Sequence, residues 1–565
     1  MGIPSYFSYI VKNHPEIIKR FIQNEMSVAN LYLDCNSIIY DAFHTLNSES
    51  SLSSKKANTK TNISIARISA AIISSVIEKI EEYVEVIQPT NTLYIAFDGV
   101  APLAKLEQQR ERRYKSWYQC EINKILTNKQ NEQDISKNNT PSYFKEKSKK
   151  KIVKDEWNTA SITPGTQFMA ELNRRVSSHF HCSKRCIKLG IEEVIISGSD
   201  EAGEGEHKIF QHIRDKGLSS SNETTVIYGL DADLIMLSIN HLRYCPNLYL
   251  FRETPHFIQS ISSELEPNEQ YVLDITALNR NIYKDNQLKD GNSHNYVFLC
   301  FFLGNDFLPH FPALNIRTGG IDKLLLAFSE IGNVDFVEVS SNNEVRILWA
   351  NVRKLVKCLS KVEEEYIVAE YKSRERKERV PLANRSDEEK MKKFELIPTY
   401  EREIEKYVKP TSAGWENRYY MALFEEKDMD KERIAMNYLE GLEWTMKYYT
   451  QGCPDWRWKY KYHYPPLLKD LLRYIPIDSG LSSGQLVPIQ KEYPILPLTQ
   501  LCYVLPRANL YLLPRELKEI LLKENNDWYS DECSFVWAYC RYFWEAHVDM
   551  PEIDIDELSK IVANK

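Results

Sequence analysis

Carboxylates recur at the ends of short apolar runs in this sequence, a context that calls for a cation. Asp34 closes Leu31-Tyr32-Leu33-Asp34, Asp98 closes the run 92–98, and Asp231 and Asp233 follow Val226-Ile227-Tyr228-Gly229-Leu230. Glu204 and Glu206 stand in Gly203-Glu204-Gly205-Glu206-His207-Lys208, where glycines permit close backbone approach. The alternative for that stretch is a polar loop opening a helix, with acids favoured by the helix dipole. Asp231 and Asp233 are expected to project to one side of an extended strand end and reach one ion. Asp306, in Gly304-Asn305-Asp306-Phe307, adds a further carboxylate, although Gly304 also reads as a plain helix stop. Acids gathered at one place repel one another unless a cation sits between them. An all-oxygen set without His or Cys suits Mg2+ or Mn2+ over zinc. Two such ions stabilise the attacking and leaving oxygens of a phosphodiester displacement.

A cationic face lies next to the second of these acids. Asp98-Gly99-Val100-Ala101-Pro102 leads into a helix expected over 103–118, with Pro102 in its first turn. Lys105, Gln109, Arg112 and Arg113 then share one side of the helix, suited to holding a phosphate close to the metal site. The bland alternative is a solvated charged helix. Further along, Asp455-Trp456-Arg457-Trp458-Lys459-Tyr460-Lys461-Tyr462-His463-Tyr464 interleaves aromatic rings with cations. Such a block stacks unpaired bases and holds their backbone. Here one Trp is expected to serve the substrate and most of the Tyr to serve packing. No Ser-His-Asp or Cys-His set and no Walker-type glycine loop accompanies these motifs.

The runs that carry the acids are rich in β-branched and aromatic residues and read as buried strands. Strand-like runs alternate with helix-length segments from Leu31 to about Leu237, which predicts an α/β fold with a mostly parallel sheet. In such sheets ligands collect at the carboxyl ends of the strands. Polar stretches at 47–62 and 128–151 read as surface insertions. The predicted organisation is a first body over 1–371, a charged linker over 372–395, and a second, largely helical, aromatic-rich body over 396–565.

The 565 residues carry a net charge of −7, yet between residues 105 and 154 there are 14 Lys and Arg against 6 Asp and Glu. An acidic protein with one basic strip suits a polyanion that also meets an acidic metal centre. Eleven scattered cysteines point to a reducing compartment, and Cys182 with Cys186 lacks the second pair of a zinc site. The most apolar stretch, 296–303, is far too short to span a membrane. Tyr6 occupies the position at which a myristoylation signal needs Ser or Thr.

Taken in order, these motifs resemble the Xrn family of 5′→3′ exoribonucleases over nearly the whole chain. The resemblance rests on Met1-Gly2-Ile3-Pro4, Asp34-Cys35-Asn36, Asp98-Gly99-Val100-Ala101-Pro102 with Gln108-Gln109-Arg110, and Thr163-Pro164-Gly165-Thr166. It continues through Gly203 to Lys208, Leu230-Asp231-Ala232-Asp233, Gly304-Asn305-Asp306-Phe307 and the block ending at Tyr464.

The resemblance implies a nuclease core related to flap endonucleases, with the seven acids around two metal ions. It implies a 5′-monophosphate pocket made by Lys105, Gln109, Arg112 and Arg113, closed to capped or triphosphate ends. The substrate would be single-stranded RNA, degraded processively to mononucleotides in RNA decay, by a monomer without a nucleotide cofactor. Tyr40 stands where the family commonly has a His that stacks on the first bases; Trp458 is expected opposite it, with Trp456 as the alternative. The sequence also reads as a short form without the long C-terminal extension of the large cytoplasmic members. A cytoplasmic location is expected, with a nuclear one as the alternative reading of the lysines at 145–154. Two rivals are a structure-selective DNA nuclease and a silent RNA-binding scaffold; the retention of all seven acids argues against the scaffold.

Overall fold

The computed structural model describes residues 2, 3, 5–23, 25–54, 65–136, 157–181, 184–217, 223–253, 265, 266, 269–285, 292–340, 344–424, 430–477, 486, 487, 493–530 and 532–564. Met1, Pro4, Cys182, the lysines at 145–154 and the insertion segments 55–62 and 137–151 lie outside the described residues. The start of each expected insertion is helical, in Asn36–Ser54 and in Leu103–Ser136, so the second helix runs well past the predicted 118.

One seven-stranded sheet organises the first body. Its strands are β1 (Ile18–Arg20), β2 (Asn30–Asp34), β3 (Thr92–Ala96), β4 (Glu193–Ser197), β5 (Thr224–Tyr228), β6 (Asn247–Glu253) and β7 (Gln270–Asp274), in the order β1-β7-β6-β5-β2-β3-β4. The five from β4 to β6 are parallel, while β7 and β1 add an antiparallel edge. The side-chain period of two splits the apolar residues between the sheet's faces. Leu31, Leu33, Leu93, Ile95 and Val226 fill one, and Tyr32, Tyr94 and Ile227 the other. Helices cover both faces, as parallel strands buried on two sides require.

The strand order creates the crevice. The chain steps outward from β2 through β3 to β4, then returns to the other side of β2 as β5. Adjacent strand ends therefore diverge between β2 and β5, the topological switch point at which open α/β sheets bind ligands. Asp34 ends β2 there, and Asp231 follows β5.

The second body does not stand apart. One continuous hydrophobic core includes Phe210 and Met236 of the sheet's helices together with Trp444, Tyr449 and Leu471. A separate cluster packs Val100, Leu103 and Leu106 against Leu501, Leu517 and Leu558 near the C-terminus. The charged stretch 372–395 is not the linker its composition suggests. Helix Trp349–Glu378 runs through its first residues, and Asp387–Glu395 opens on a capping box formed by Ser386 and Glu389. Glu375 and Arg379 pair at i,i+4 on the exposed side, and Phe394 packs against Phe543. Most of the helical charges lie on the wet faces of amphipathic helices, while Arg374 is buried against Glu405. The ten described cysteines are free thiols, and among the described residues no helix is long and apolar enough to cross a membrane.

Candidate active site

The seven acids reach the crevice by different routes. Asp34 is the last residue of β2, and Asp98 lies two residues beyond β3. The loops after β3 and β4 are laced together by Gly99 N–H donating to the Gly203 carbonyl at 2.9 Å and Gly203 N–H to the Val100 carbonyl at 2.7 Å. That lacing sets Glu204 beside Asp98. Glu204 is the N-cap of helix Gly205–Lys216 and Glu206 lies in its first turn, so the dipole-favoured position and the site coincide. Gly205 N–H donates to Asp98 Oδ1 at 2.7 Å. A Cβ on Gly205 would lie 2.7 Å from Asp34 Oδ1, so only glycine fits between these strands' carboxylates. Asn36 holds Asp98 from the other side, donating to Oδ2 and accepting from its backbone N–H.

Asp231 and Asp233 do not extend a strand, contrary to expectation. β5 stops at Tyr228, Asp231 lies in the loop, and Asp233 is the first residue of helix Asp233–His241. An acid there gains from the helix dipole, which outweighs strand continuation. Asp233 is buried, whereas Asp231 is exposed at the crevice mouth. Asp306 follows Gly304, whose φ of +81° makes the sharp exit from the apolar turn Phe301–Leu303.

Electrostatics join these residues into one network. Burial pushes Asp34 well above the usual carboxylate range, and Asp98 and Asp231 push it further. Asp98 rises through burial and then Glu204; Glu206 rises well above its ordinary value through burial and then Asp233. Asp233 is pushed up to about 7 by burial and then by Asp306. The main relief is Lys105, whose ammonium lies 2.6 Å from Glu204 Oε1 and 2.7 Å from Asp306 Oδ2. Burial would discharge that lysine, but Asp306 and Glu204 outweigh it and hold it charged.

The donor set fits divalent cations. Asp34 Oδ1, Glu206 Oε2 and Asp233 Oδ1 are buried oxygens that accept no hydrogen bond among the described residues. Unpaired buried carboxylate oxygens are costly unless something coordinates them. Several acids against one lysine leave excess negative charge, and hard oxygen donors match Mg2+ or Mn2+.

Helix Leu103–Ser136 carries the predicted cationic face, with Pro102 just before its first residue. Lys105 belongs to the acid cluster more than to a separate pocket. Beyond it, Gln109 Oε1 accepts from Gln500 Nε2 at 3.4 Å, and Gln500 Oε1 accepts from Ala101 N–H at 3.0 Å. Arg113 donates to Thr163 Oγ1 at 2.6 Å, which gives the Thr163-Pro164-Gly165-Thr166 motif its part. Burial lowers Arg113 to about 10, with Tyr40 favouring its charge and Arg112 opposing it. Arg112 is exposed and within electrostatic reach of Asp306, whose carboxyl is held low by Lys105 despite its burial. One strip of helix thus runs from the acids to an exposed guanidinium.

The aromatic residues divide differently from expectation. Trp458 is 8% exposed, stacked on Trp444 with ring centroids 5.2 Å apart, and donates to Glu440 at 3.4 Å. Its ring is core, because Gly441 lets it sit directly on helix Lys431–Thr450. Trp456 is half-buried, and its carbonyl accepts from Leu103 N–H at 3.0 Å. It is the Trp whose backbone touches the start of the cationic helix. Tyr40 is half-buried on helix Asn36–Ser54, near Arg113. Tyr460, Tyr462 and Tyr464 pack as expected.

Comparison with known proteins identifies the family. The family model described as "XRN 5'-3' exonuclease N-terminus" matches residues 1–254, and that described as "Xrn1 helical domain" matches 292–401 and 383–564. The chain belongs to the Xrn family. Relatives include "5'-3' exoribonuclease 1" of Schizosaccharomyces pombe, 25% identical over 100% of this chain and 48% of that protein. "5'-3' exoribonuclease 2" of Arabidopsis thaliana is 23% identical, over 100% of this chain and 67% of that protein. "5'-3' exoribonuclease 1" of Saccharomyces cerevisiae is 24% identical, over 98% and 42%. This Xrn chain thus spans from under half to about two thirds of the length of these relatives.

Several contributors to the Xrn site escaped the motif reading. Tyr448 donates to Glu204 Oε2 at 2.8 Å and stacks on His207, with centroids 3.7 Å apart. Gly2 N–H donates to Asp306 Oδ1 at 3.1 Å. Lys208 donates to the carbonyls of Phe97 and Gly198 at 2.9 and 2.6 Å, tying β3 to the loop after β4. Gly2 and Lys208 sit inside quoted motifs, so the motifs marked them without revealing a role. Tyr448, on a helix of many aromatics, gave no signal.

Proposed function

We propose that this protein is a metal-dependent 5′→3′ exoribonuclease that degrades 5′-monophosphorylated, single-stranded RNA to mononucleotides. The observation that carries the reading is the strip on helix Leu103–Ser136, which joins the carboxylate network at Lys105 to the exposed guanidinium of Arg112. On this reading, the residues for one phosphate stand at a fixed helical spacing from those for divalent ions. Fixed spacing between an end-binding pocket and a cutting centre defines an exonuclease step.

Asp34, Asp98, Glu204, Glu206, Asp231, Asp233 and Asp306 are the residues that would hold the ions. A pair of Mg2+ or Mn2+ ions supplies an acidified water and positive charge at the attacking and leaving oxygens. Around them the chain's own groups position the substrate. Arg112, Arg113 and Gln109 bind the terminal phosphate, with Arg113 braced by Thr163 and Gln109 by Gln500. Lys105 keeps a positive charge between that phosphate and the acids. Tyr40 and Trp456 flank the entry and stack on the first bases.

Hydrolysis adds water across the first internucleotide P–O3′ bond. The leaving oxygen becomes the 3′-hydroxyl of the released nucleoside 5′-monophosphate, and the remaining RNA keeps a new 5′-monophosphate. The shortened RNA thus carries the same terminal group as the substrate and can enter the pocket for the next round. The shared core of the two bodies, and contacts such as Gly165 against Pro497, favour a narrow entry that admits single strands.

The test is digestion of one 3′-labelled RNA bearing a 5′-monophosphate or a 5′-hydroxyl, with Mg2+ or EDTA, beside DNA of the same sequence. Rapid loss of the monophosphate RNA alone, only with Mg2+ and without accumulating intermediates, is expected. Internal cuts on both RNAs, preference for DNA, or binding without cleavage would each overturn the reading.

A further inference from the structure

Helix Leu103–Ser136 turns a second face toward the second body. Glu107, Glu111 and Lys115 follow one another along it at steps of four. Glu107 accepts from Lys459 at 2.5 Å and from the Tyr503 hydroxyl at 2.6 Å. Lys115 donates to the carbonyls of Trp544 and Ala546 at 3.0 and 2.8 Å. Between them, Glu111 meets two histidines from distant parts of the chain. His463 lies one residue before the end of the aromatic block, and His547 opens the strand His547–Asp549. His463 Nδ1 lies 3.7 Å from Glu111 Oε1, and the two imidazoles face each other with centroids 4.9 Å apart and planes 27° apart. One ligand atom from each of the three residues lies within 4.8 Å of the others.

We propose that Glu111, His463 and His547 form a second metal site, for a borderline divalent cation of the zinc class, which fastens the phosphate-binding helix to the second body. Three features support it. Two imidazole nitrogens and one carboxylate oxygen favour zinc-class ions over Mg2+, the reverse of the all-oxygen catalytic set. Bonds of about 2.0–2.1 Å to a tetrahedral ion put neighbouring ligand atoms roughly 3.4 Å apart, so the His463–Glu111 pair needs only a small inward rotation. His463 is 39% exposed, which leaves an entry path and room for a water as fourth ligand. Lys115 Nζ lies 3.6 Å from Glu111 Oε2, the other oxygen of that carboxylate, and leaves Oε1 for the ion. An ion here closes long loops between three segments, the case in which a clip restrains the unfolded chain most.

The test is titration of the metal-stripped full chain with Co2+ under excess Mg2+, followed by visible absorption and melting temperature. One equivalent of Co2+ is expected, with the intense bands of a four- or five-coordinate, nitrogen-ligated ion, a raised melting temperature, and displacement by Zn2+. His463→Gln and Glu111→Gln should each weaken binding at least tenfold, and His463 is exposed enough for its variant to keep the fold. Asp98→Asn, which damages the oxygen-only cluster, should leave the Co2+ bands intact. No saturable Co2+ binding under Mg2+, unchanged affinity in both His463→Gln and Glu111→Gln, or loss of the bands in Asp98→Asn would overturn the proposal.

Discussion

The hydroxyl of Tyr448 donates to Glu204 Oε2 at 2.8 Å, across 244 positions of sequence. Helix Lys431–Thr450, from the second body, therefore supplies a hydrogen bond to a carboxylate of the proposed metal site and is more than a wall around it. Glu204 is held from two sides, by this hydroxyl and by Lys105. A carboxylate so fixed presents its oxygens without reorganising when an ion arrives.

Tyr448→Phe removes only that donor. A hydrogen bond to a charged group contributes about 1.5–3 kcal/mol, so Glu204 should hold metal roughly tenfold or more less tightly. The expected result is a higher Mg2+ concentration for half-maximal cleavage, with RNA binding in EDTA unchanged. An unaltered Mg2+ dependence would show the bond to be incidental.

Gly2 is tested by one methyl group. A Cβ at Gly2 would lie 2.0 Å from Asp233 Oδ1, and Gly2 has a φ of +55°. Gly2→Ala should therefore displace Asp233 or withdraw the Gly2 N–H from Asp306, lowering cleavage at least a hundredfold while far-ultraviolet dichroism is retained. Cleavage within a factor of three of the parent chain would mean that the terminus moves away at no cost.

Arg112 separates the phosphate from the rest of the substrate. Arg112→Ala should cost about 1.5–3 kcal/mol of contact to the terminal phosphate, or roughly 10–100-fold in kcat/KM on monophosphorylated RNA. The slow reaction of 5′-hydroxyl RNA should not change. An equal loss on both ends would place Arg112 at the scissile phosphate.

The two tryptophans predict opposite phenotypes. Trp458→Ala empties a core position against Trp444 and should cost about 3–5 kcal/mol of stability. Trp456→Ala should leave the melting temperature nearly unchanged and weaken single-stranded RNA binding by about 1–3 kcal/mol. Thermal melts and filter binding on the pair decide it, and a reversed pattern would return the stacking role to Trp458.

The acid cluster of the metal-free chain should lose stability as pH rises, against the opposite slope of buried histidines such as His241, His294 and His310, which burial lowers. Asp233 titrates near 7 in the folded chain, and Asp34, Asp98 and Glu206 are also raised, all through burial first. Between the ordinary carboxylate value of about 4 and about 7, these four carboxylates bind more protons in the folded chain than in the unfolded one, so their contribution to stability falls with rising pH, by about 1.4 kcal/mol per unit of raised pKa. Asp306, held low beside Lys105, titrates below this window and adds no slope within it. The rise in melting temperature that Mg2+ gives over EDTA should therefore grow from pH 5 to pH 7.5, because the histidine slope is common to both conditions. A Mg2+ increment that does not change with pH would contradict the crowding of these acids.

Much of the site could be read from the chain alone, because local rules suffice for it. Apolar runs such as Leu31-Tyr32-Leu33 are legible as strands, and parallel strands present their carboxyl ends together, which brings Asp34, Asp98 and the Asp231 loop to one edge. Helical spacing alone puts Lys105, Gln109, Arg112 and Arg113 on one side. Tertiary packing decided what local spacing does not encode. Asp233 opens a helix where strand continuation was expected, since the dipole at a helix start is as good a place for an acid. Of the stretch 372–395, the parts up to Glu378 and from Asp387 are helical, with most charges at the surface and Arg374 buried against Glu405, because composition does not distinguish a helix from a linker. Trp456 and Trp458, two apart in one motif, differ only in which meets helix Lys431–Thr450, and burial follows that contact. Tyr448, Gly2 and the Glu111–His463–His547 group are brought to their partners by chain closure over hundreds of residues, a relation that no periodicity records.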